Sequence, residues 1–178
     1  MASTRAQGAS VGLGTLIRED LAACGGGVAS AGFHAVAWYR FGRWATSLPQ
    51  PGRTLVLLLY RIIYVFIRNF YGVELPATAQ IGRRLHIAHQ GGIILNPRTR
   101  IGDDCMLRQN TTIGVGVPGG LAPTIGDGVE IGAGAVIIGD ITIGDNARIG
   151  PNAVVMVDVP AGASAFAAPA RIIRLKDS

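Results

Sequence analysis

Histidine is the side chain in this sequence best suited to moving a proton at neutral pH, and two of its three histidines stand close together. His86 and His89 lie three residues apart in the segment LHIAHQGGIIL, and His34 lies far upstream. An imidazole can take the proton of a hydroxyl group as that oxygen attacks a carbonyl carbon. These residue types therefore suggest general-base chemistry on a hydroxyl group.

The pair His86 and His89 also has the form His-x-x-His, which could bind a metal ion. The remaining histidine, His34, stands in a different part of the chain, and Cys24 and Cys105 show no metal-ligand spacing. We therefore expect no metal, and we expect His86 to face solvent. A metal-dependent enzyme stays open as an alternative, which a chelator would reveal.

An aliphatic residue recurs every six residues through the second half of the chain. The period runs over Ile81, Ile87 and Ile93, slips by two residues, and continues from Ile101 to Val155 with a gap at Gly119. A helix would need a period near 3.6. A period of six, with a small residue four positions on and Gly or Asp between, predicts a three-sided parallel β-coil. About 18 residues would close one coil, and successive coils would stack at the β-strand spacing of about 4.8 Å.

The fold class predicted from this pattern is an all-β solenoid of hexapeptide repeats with an N-terminal α-helical arm. The composition changes at Gly72, so we place the arm at 1–72 and the solenoid with its C-terminal tail at 73–178. Residues 114–123, with two prolines and four glycines, cannot form a side of the coil and are predicted to be a projecting loop.

Three helices are predicted in the arm, at about 15–23, 33–47 and 54–70. The third is apolar except for Arg61 and Arg68, which are seven residues apart and so share one face. These arginines interrupt the run of about 18 apolar residues expected of a membrane-spanning helix. Two interpretations remain: burial against its own domain or a sister subunit, or peripheral contact of 54–70 with a membrane surface.

Composition and charge restrict the class of protein further. Hydrophobic residues make up 49% and charged residues 15% of the chain, which excludes a disordered protein. The net charge of +5 would suit nucleic acid, a membrane surface or an anionic ligand. No basic run with interleaved aromatics marks the second half, so we expect no nucleic-acid partner. The N-terminus lacks a signal-peptide pattern and the two cysteines form no disulfide framework, so we expect a cytoplasmic protein, at the inner membrane surface if 54–70 binds lipid.

Five segments carry a resemblance to a known family. They are GFHAVAWYRFGRW (32–44), VELPATAQIG (73–82), LHIAHQGGIIL (85–95), PTIGDGVEIGAGAVIIGDITIGDNARIGPNAVV (123–155) and AAPARII (167–173). The chain resembles the serine O-acetyltransferases and the wider hexapeptide acyltransferases, and it is similar to the shorter exopolysaccharide acetyltransferases of the colanic-acid type. The resemblance implies a left-handed coil, a homotrimer or dimer of trimers, and acetyl-CoA as co-substrate. It also implies O-acetylation of a small-molecule hydroxyl acceptor.

The resemblance assigns roles to particular residues. His89 matches the general base of the family, and Glu74 stands where serine acetyltransferases have an orienting Asp. The two residues are 15 apart, roughly one coil of 18, so stacking could bring Glu74 within reach of His89. The residues implied in binding acetyl-CoA in a groove between adjacent subunits are Gly114, Ala133, Gly134 and Arg171, the last as a partner of a CoA phosphate.

The acceptor stays open at this stage. Serine acetyltransferases have Asp at the position of Ala88 and Arg-His at the positions of Leu121 and Ala122, where these side chains help to hold the charged ends of serine. L-serine and a sugar hydroxyl are both candidates, and the uncharged residues favour a sugar. A catalytically silent solenoid that serves as a scaffold is a further alternative, which would not bind acetyl-CoA.

Overall fold

A parallel β-coil fills the second half of the chain in the computed structural model, which describes residues 11–173. Its strands pair only in parallel and form three sheets, ordered β1-β4-β7-β10-β13, β2-β5-β8-β11 and β3-β6-β9-β12-β14. The bounds are β1 Val73–Glu74, β2 Gln80–Ile81, β3 His86–Ile87, β4 Ile93–Leu95, β5 Arg100–Ile101, β6 Met106–Leu107, β7 Thr112–Gly114, β8 Thr124–Ile125, β9 Glu130–Ile131, β10 Val136–Ile138, β11 Thr142–Ile143, β12 Arg148–Ile149, β13 Val154–Val155 and β14 Ser164–Ala165. The predicted solenoid is confirmed. Strand pairing does not define the hand of the coil, so the left-handed sense stays an expectation from the resemblance.

The interior of the coil is built from the aliphatic residues of the six-residue period. Every such position is buried, and the buried set is Ile81, Ile87, Ile93, Ile101, Leu107, Ile113, Ile125, Ile131, Ile137, Ile143, Ile149 and Val155. Small residues four positions later, such as Cys105, Ala135 and Ala147, are buried beside them. Complete burial of one such aliphatic side chain stabilises the fold by about 1.5–3 kcal/mol. The repeat therefore supplies a continuous core along the coil.

One loop interrupts the coil between β7 and β8, where the sequence predicts it. Residues 115–123 form no strand, and Val117 and Leu121 are exposed. Arg98 holds the loop, because its Nη1 donates to the carbonyls of Gly119 at 3.0 Å and Gly120 at 3.1 Å.

Three helices precede the coil, as predicted. They are α1 Leu13–Ala23, α2 Ala31–Thr46 and α3 Gly52–Phe66, and α3 continues as a π-helical segment over Ile67–Tyr71. The first helix begins at Leu13, after Gly12, two residues before the predicted start at about 15. The Ser30 side chain caps the second helix by accepting from the amide of Phe33. The chain changes from helix to strand at Gly72, where we place the boundary between 1–72 and 73–178.

α2 joins the helical arm to the first coil through buried polar contacts. The Tyr39 hydroxyl donates to the carbonyl of Ala79 at 2.9 Å and accepts from the amide of Ile81 at 3.0 Å. Arg40, 4% exposed, pairs at 2.7 Å with the fully buried Asp20 of α1. Arg40 also donates to the Ile81 carbonyl at 2.8 Å. α1, α2 and the coil therefore form one body with a shared core.

α3 contacts the rest of the described chain along only one side. Tyr60 and Ile67 are buried there, and the indole Nε1 of Trp38 donates to the Tyr60 carbonyl at 3.1 Å. The interpretation that α3 is buried against its own domain is wrong, because most of its circumference is exposed. The helix from Gly52 to Tyr71 has 20 residues and a mean hydropathy of 1.4 over its most apolar stretch, of which 11% is buried. Its length and composition alone would suffice to cross a membrane.

Candidate active site

His89 is exposed and lies at the corner of the coil between β3 and β4. The matching corners of the next two coils contain Gln109 and Ala133, because β3, β6 and β9 pair in register. At those corners the carbonyl of the matching residue accepts a hydrogen bond from the coil that follows: Gln109 O from the Gly134 amide at 3.0 Å, and Ala133 O from the Asn152 amide at 2.9 Å. Gln109 and Ala133 thus occupy two regular corners of the column in which His89 stands first.

The corner of His89 departs from this pattern. The amide of Asn110 donates to the carbonyl of Gly91 at 2.7 Å instead of to the carbonyl of His89. Gly91 and Gly92 both have positive φ, of 104° and 64°, whereas the matching corners have one such residue each. Glycine is favoured where the backbone takes two successive left-handed conformations. The double glycine therefore gives the His89 corner a shape of its own.

Glu74 lies in β1, one coil before β4. It is half-buried and stands in register with Ile94, while the carbonyl of Gly72 accepts from the Ile93 amide at 2.9 Å. β1 therefore stacks on the strand that follows the His89 corner, with Glu74 in register with Ile94, five residues beyond His89. The contact between Glu74 and His89 stays a prediction. Within residues 11–173, no hydrogen bond joins Glu74 to His89.

Tyr64 of α3 approaches Glu74 and was not singled out from the sequence. Burial raises the pKa of the Tyr64 hydroxyl, and the negative charge of Glu74 raises that pKa further. A tyrosine in an apolar helix carries no local signal of a role at a distant strand. The proximity of Tyr64 to Glu74 becomes visible only in the fold, where the helix leads directly into β1.

Gln109 is a second residue that sequence analysis missed. Its Oε1 is buried and has no hydrogen-bond partner in the described part of the chain. A buried polar atom without a partner costs about 1–3 kcal/mol. Because Gln109 occupies the corner next to that of His89, this oxygen could accept a hydrogen bond from a ligand hydroxyl. In the sequence, Gln109 is marked only by being polar, whereas the residue at the matching position of the next coil is Ala133.

The four residues implied in binding acetyl-CoA do not form one cluster. Ala133 and Gly134 lie at the corner that leads into β10, whereas Gly114 ends β7 and stands in register with Ile138 at the other end of β10. Arg171 lies in the exposed tail and makes no hydrogen bond or ion pair within residues 11–173. Gly114, Ala133 and Gly134 therefore lie near the two ends of β10, whereas Arg171 lies apart from them.

His86 lies on β3, opposite Met106, and is half-buried instead of freely exposed. Burial, and then the positive charge of Arg108 and the proximity of His89, lower the pKa of His86. In the described ranges, no group of three or more His, Cys, Asp or Glu side chains is arranged to hold a metal ion.

Comparison with known proteins gives matches in sequence and in fold. Residues 122–156 match the family model described as bacterial transferase hexapeptide (six repeats). The chain is 44% identical over 88 residues to an Escherichia coli K12 protein named as a colanic acid biosynthesis acetyltransferase, WcaB. The aligned region covers 49% of this chain and 52% of that one. It is 38% identical over 149 residues to the serine acetyltransferase of the same organism, which covers 83% of this chain and 52% of the relative. The chain thus spans about half the length of these curated relatives.

A solved structure extends the likeness to most of the chain. The crystal structure of Neisseria gonorrhoeae serine acetyltransferase in complex with serine superposes with a TM-score of 0.73 at 27% identity, over 90% of this chain and 68% of that one. The match includes the helices as well as the coil, since it extends well beyond the hexapeptide repeats. Sequence and fold together confirm the resemblance of this chain to the hexapeptide-repeat acyltransferases of the serine acetyltransferase type.

Proposed function

We propose that this chain transfers an acetyl group from acetyl-CoA to a hydroxyl group of a small acceptor, with His89 as the general base. The observation that carries the proposal is the position of His89, an exposed imidazole at the irregular corner of a coil that superposes on a serine-bound acetyltransferase. The names of the curated relatives support acetyl transfer as the reaction.

The chemistry needs only one proton carrier. His89 takes the proton of the acceptor hydroxyl as the oxygen attacks the thioester carbonyl carbon. The tetrahedral intermediate then breaks its carbon–sulfur bond, and the leaving thiolate takes the proton back from the imidazolium. The products are an acetyl ester and free CoA thiol. A positioned base of this kind accelerates a reaction by about 10²–10⁴-fold.

Glu74 is the proposed orienting acid. Its place one coil away supports the assignment, while the missing hydrogen bond means that a side chain must rotate before the two groups touch. Catalytic hydrogen bonds are often long before substrate binds and shorten in the complex. Once in contact, the carboxylate would fix the tautomer of His89 and stabilise the imidazolium.

Acetyl-CoA is proposed to bind along the solenoid between adjacent subunits of a trimer or a dimer of trimers. Ala133 and Gly134 are proposed to lie beside the pantetheine arm, and Gly114 is proposed to border the thioester at the other end of β10. Open space around Gly114 supports this, because no heavy atom of the described residues lies within 4 Å of where a Cβ would stand. Gly134 also serves the packing of the coil, because a Cβ there would collide with Oδ1 of Asn152. Arg171 is proposed to pair with a phosphate group, which a guanidinium can bind through two donors.

L-serine is the acceptor that the names of most relatives support. A sugar hydroxyl is the second candidate, and a specific observation favours it. The half-buried Ala88 and the exposed Leu121 provide no charge for the ammonium and carboxylate groups of serine. Each hydrogen bond to a charged group that is missing would cost about 1.5–3 kcal/mol of affinity.

Release of free thiol from acetyl-CoA by the purified full chain tests the proposal, with L-serine and a panel of sugars as acceptors. We expect acceptor-dependent release that falls at least about 100-fold in His89→Asn. His86→Asn is the matched control, since it removes a neighbouring imidazole outside the proposed mechanism, and it should retain activity. Full activity in His89→Asn would refute the mechanism, and failure to bind acetyl-CoA would favour a scaffold. Release with serine alone would show that Ala88 and Leu121 do not exclude it.

A further inference from the structure

The outward face of α3 is a continuous apolar strip that nothing in residues 11–173 covers. Leu55 is 73% exposed, Ile62 63% and Phe70 74%. The other exposed members of the strip are Leu58, Leu59, Val65 and Phe66. Isolated apolar residues are normal on protein surfaces, but a strip of seven on one helix marks a contact surface.

Positive charge accompanies this strip. Arg61 and Arg68 are exposed and share the face of α3 next to it. The sequence from 21 to 73 contains five arginines and no acidic residue. The arm, 1–72, has seven arginines and two acids, whereas 73–178 has nine basic and nine acidic residues. The whole net charge of +5 therefore belongs to the arm.

The two acids of the arm are already paired. Asp20 is buried against Arg40, and Glu19 bonds to Arg83 of the coil. A second copy of the arm packed on the strip would therefore bring arginines near arginines, without a free carboxylate to pair with them. The partner that fits must be apolar and negatively charged at once.

We propose that α3 docks the chain on an anionic phospholipid bilayer, lying in the plane of the membrane surface. The strip would enter the boundary between headgroups and acyl chains, and Arg61 and Arg68 would reach the lipid phosphates. The inference rests on the exposed face and on the charge distribution, and it stands whether or not acetyl transfer is the activity.

The packing of α3 favours a helix that lies on the membrane over one that crosses it. Tyr60 and Ile67 are buried on the side that faces the protein, so a crossing helix would have to leave these contacts. Arg61 stands near the middle of the helix from Gly52 to Tyr71 and would be at the centre of a bilayer, where a charged side chain is costly. The helix leads directly into β1, which contains Glu74, so docking would hold the candidate site close to the membrane surface.

Flotation of the full chain with vesicles tests the proposal. We expect binding to vesicles of phosphatidylcholine mixed with phosphatidylglycerol, weak binding to phosphatidylcholine alone, and release by high salt or alkaline carbonate. Each arginine near an anionic surface contributes about fivefold in partitioning, so Arg61→Gln with Arg68→Gln should weaken binding about 25-fold. The matched control is Arg100→Gln with Arg148→Gln, which removes the same charge from exposed positions on the coil and should change binding little.

A second pair of variants tests the apolar strip. Leu58→Gln with Ile62→Gln should likewise weaken binding, whereas the same change at the exposed loop residues Val117 and Leu121 should change binding little. Circular dichroism would show that each variant is folded.

Equal binding to neutral vesicles, no binding to either kind, or resistance to carbonate would overturn the proposal. A changed number of chains per particle in Leu58→Gln with Ile62→Gln would overturn it in favour of a second copy. Thiol release with a soluble acceptor is read separately, so its failure bears only on acetyl transfer.

Discussion

Asp20 and Arg40 show what one residue pair contributes to this fold. Asp20 also accepts from the amide of Leu85 at 3.2 Å, so one carboxylate joins α1, α2 and the coil. Removing one partner of a buried pair leaves the other charge without compensation, which costs about 3–5 kcal/mol. We predict a loss of this size in the free energy of unfolding for Arg40→Leu, measured by urea denaturation.

Arg43→Leu is the control for this prediction, because Arg43 lies one turn further along α2 and is exposed. Surface substitutions usually change stability by no more than about 0.5 kcal/mol. If the two variants lose the same stability, the buried pair is not what fixes the arm to the coil.

Sequence analysis identified His89 but not the buried pair or Gln109, and the reason is physical. His89 carries a motif that can be read locally, whereas an ionised Asp or Arg is expected on the surface unless it is paired. The partner of Asp20 lies 20 residues away on another helix, and its backbone donor lies 65 residues away. Only the tertiary fold brings such groups together.

Gln109 gives a prediction that separates binding from stability. Gln109→Leu removes a buried oxygen that has no hydrogen-bond partner within residues 11–173, so the melting temperature should stay the same or rise. If that oxygen accepts a hydrogen bond from the acceptor, thiol release should fall about 2–10-fold, the value of one neutral hydrogen bond. A destabilised variant with intact kinetics would show that Gln109 has only a structural role.

At the scale of the element, two helical glycines have opposite consequences. Gly42 of α2 faces the ring of Tyr60, and an added Cβ there would collide with that ring. No heavy atom of the described residues lies within 4 Å of a Cβ added to Gly14 of α1. We predict that Gly42→Ala lowers the free energy of unfolding by about 1–3 kcal/mol through overpacking. Gly14→Ala should raise it by roughly 0.5–1 kcal/mol, because alanine loses less conformational entropy in a helix.

Thermal unfolding followed by circular dichroism measures both changes under the same conditions. Both variants add the same methyl group to a helix, so a loss at Gly42 beside a gain at Gly14 reports the contact between α2 and α3. Stabilisation by Gly42→Ala would mean that α3 does not pack closely on α2.

The elements differ in how far the sequence predicts them. The coil follows from its six-residue period because each aliphatic residue repeats the same inward position. The helices follow from composition, but the burial of α3 does not, because an apolar run looks the same whether it faces a core or a membrane. The reshaped corner at Gly91 and Gly92 is likewise visible only once the hydrogen bonds of the neighbouring corners are compared.

At the scale of the whole molecule, charge and apolar surface divide the chain into two different faces. The arm is basic and carries the strip of α3, whereas the coil is balanced in charge. A balanced surface lets coils approach one another without repulsion, which suits the trimer that the resemblance implies. The outer face of the first sheet has a column of side chains in register across successive coils, from Ile94 through Thr112 and Val136 to the exposed Val154.

We predict that Val154→Asp separates the subunits and leaves the coil intact. The side chain points outward from β13, so the core of the chain should not change. If the column that ends at Val154 is the contact of the proposed trimer, a charge there would be desolvated without a partner. Light scattering after size exclusion should show three or six chains per particle for the native protein and one for the variant. Because the proposed acetyl-CoA groove needs two adjacent subunits, thiol release should be lost together with assembly. Leu58→Gln with Ile62→Gln should keep both assembly and thiol release, since its surface is assigned to lipid. Native protein that is already a single chain, yet active, would show that the groove does not require a neighbour.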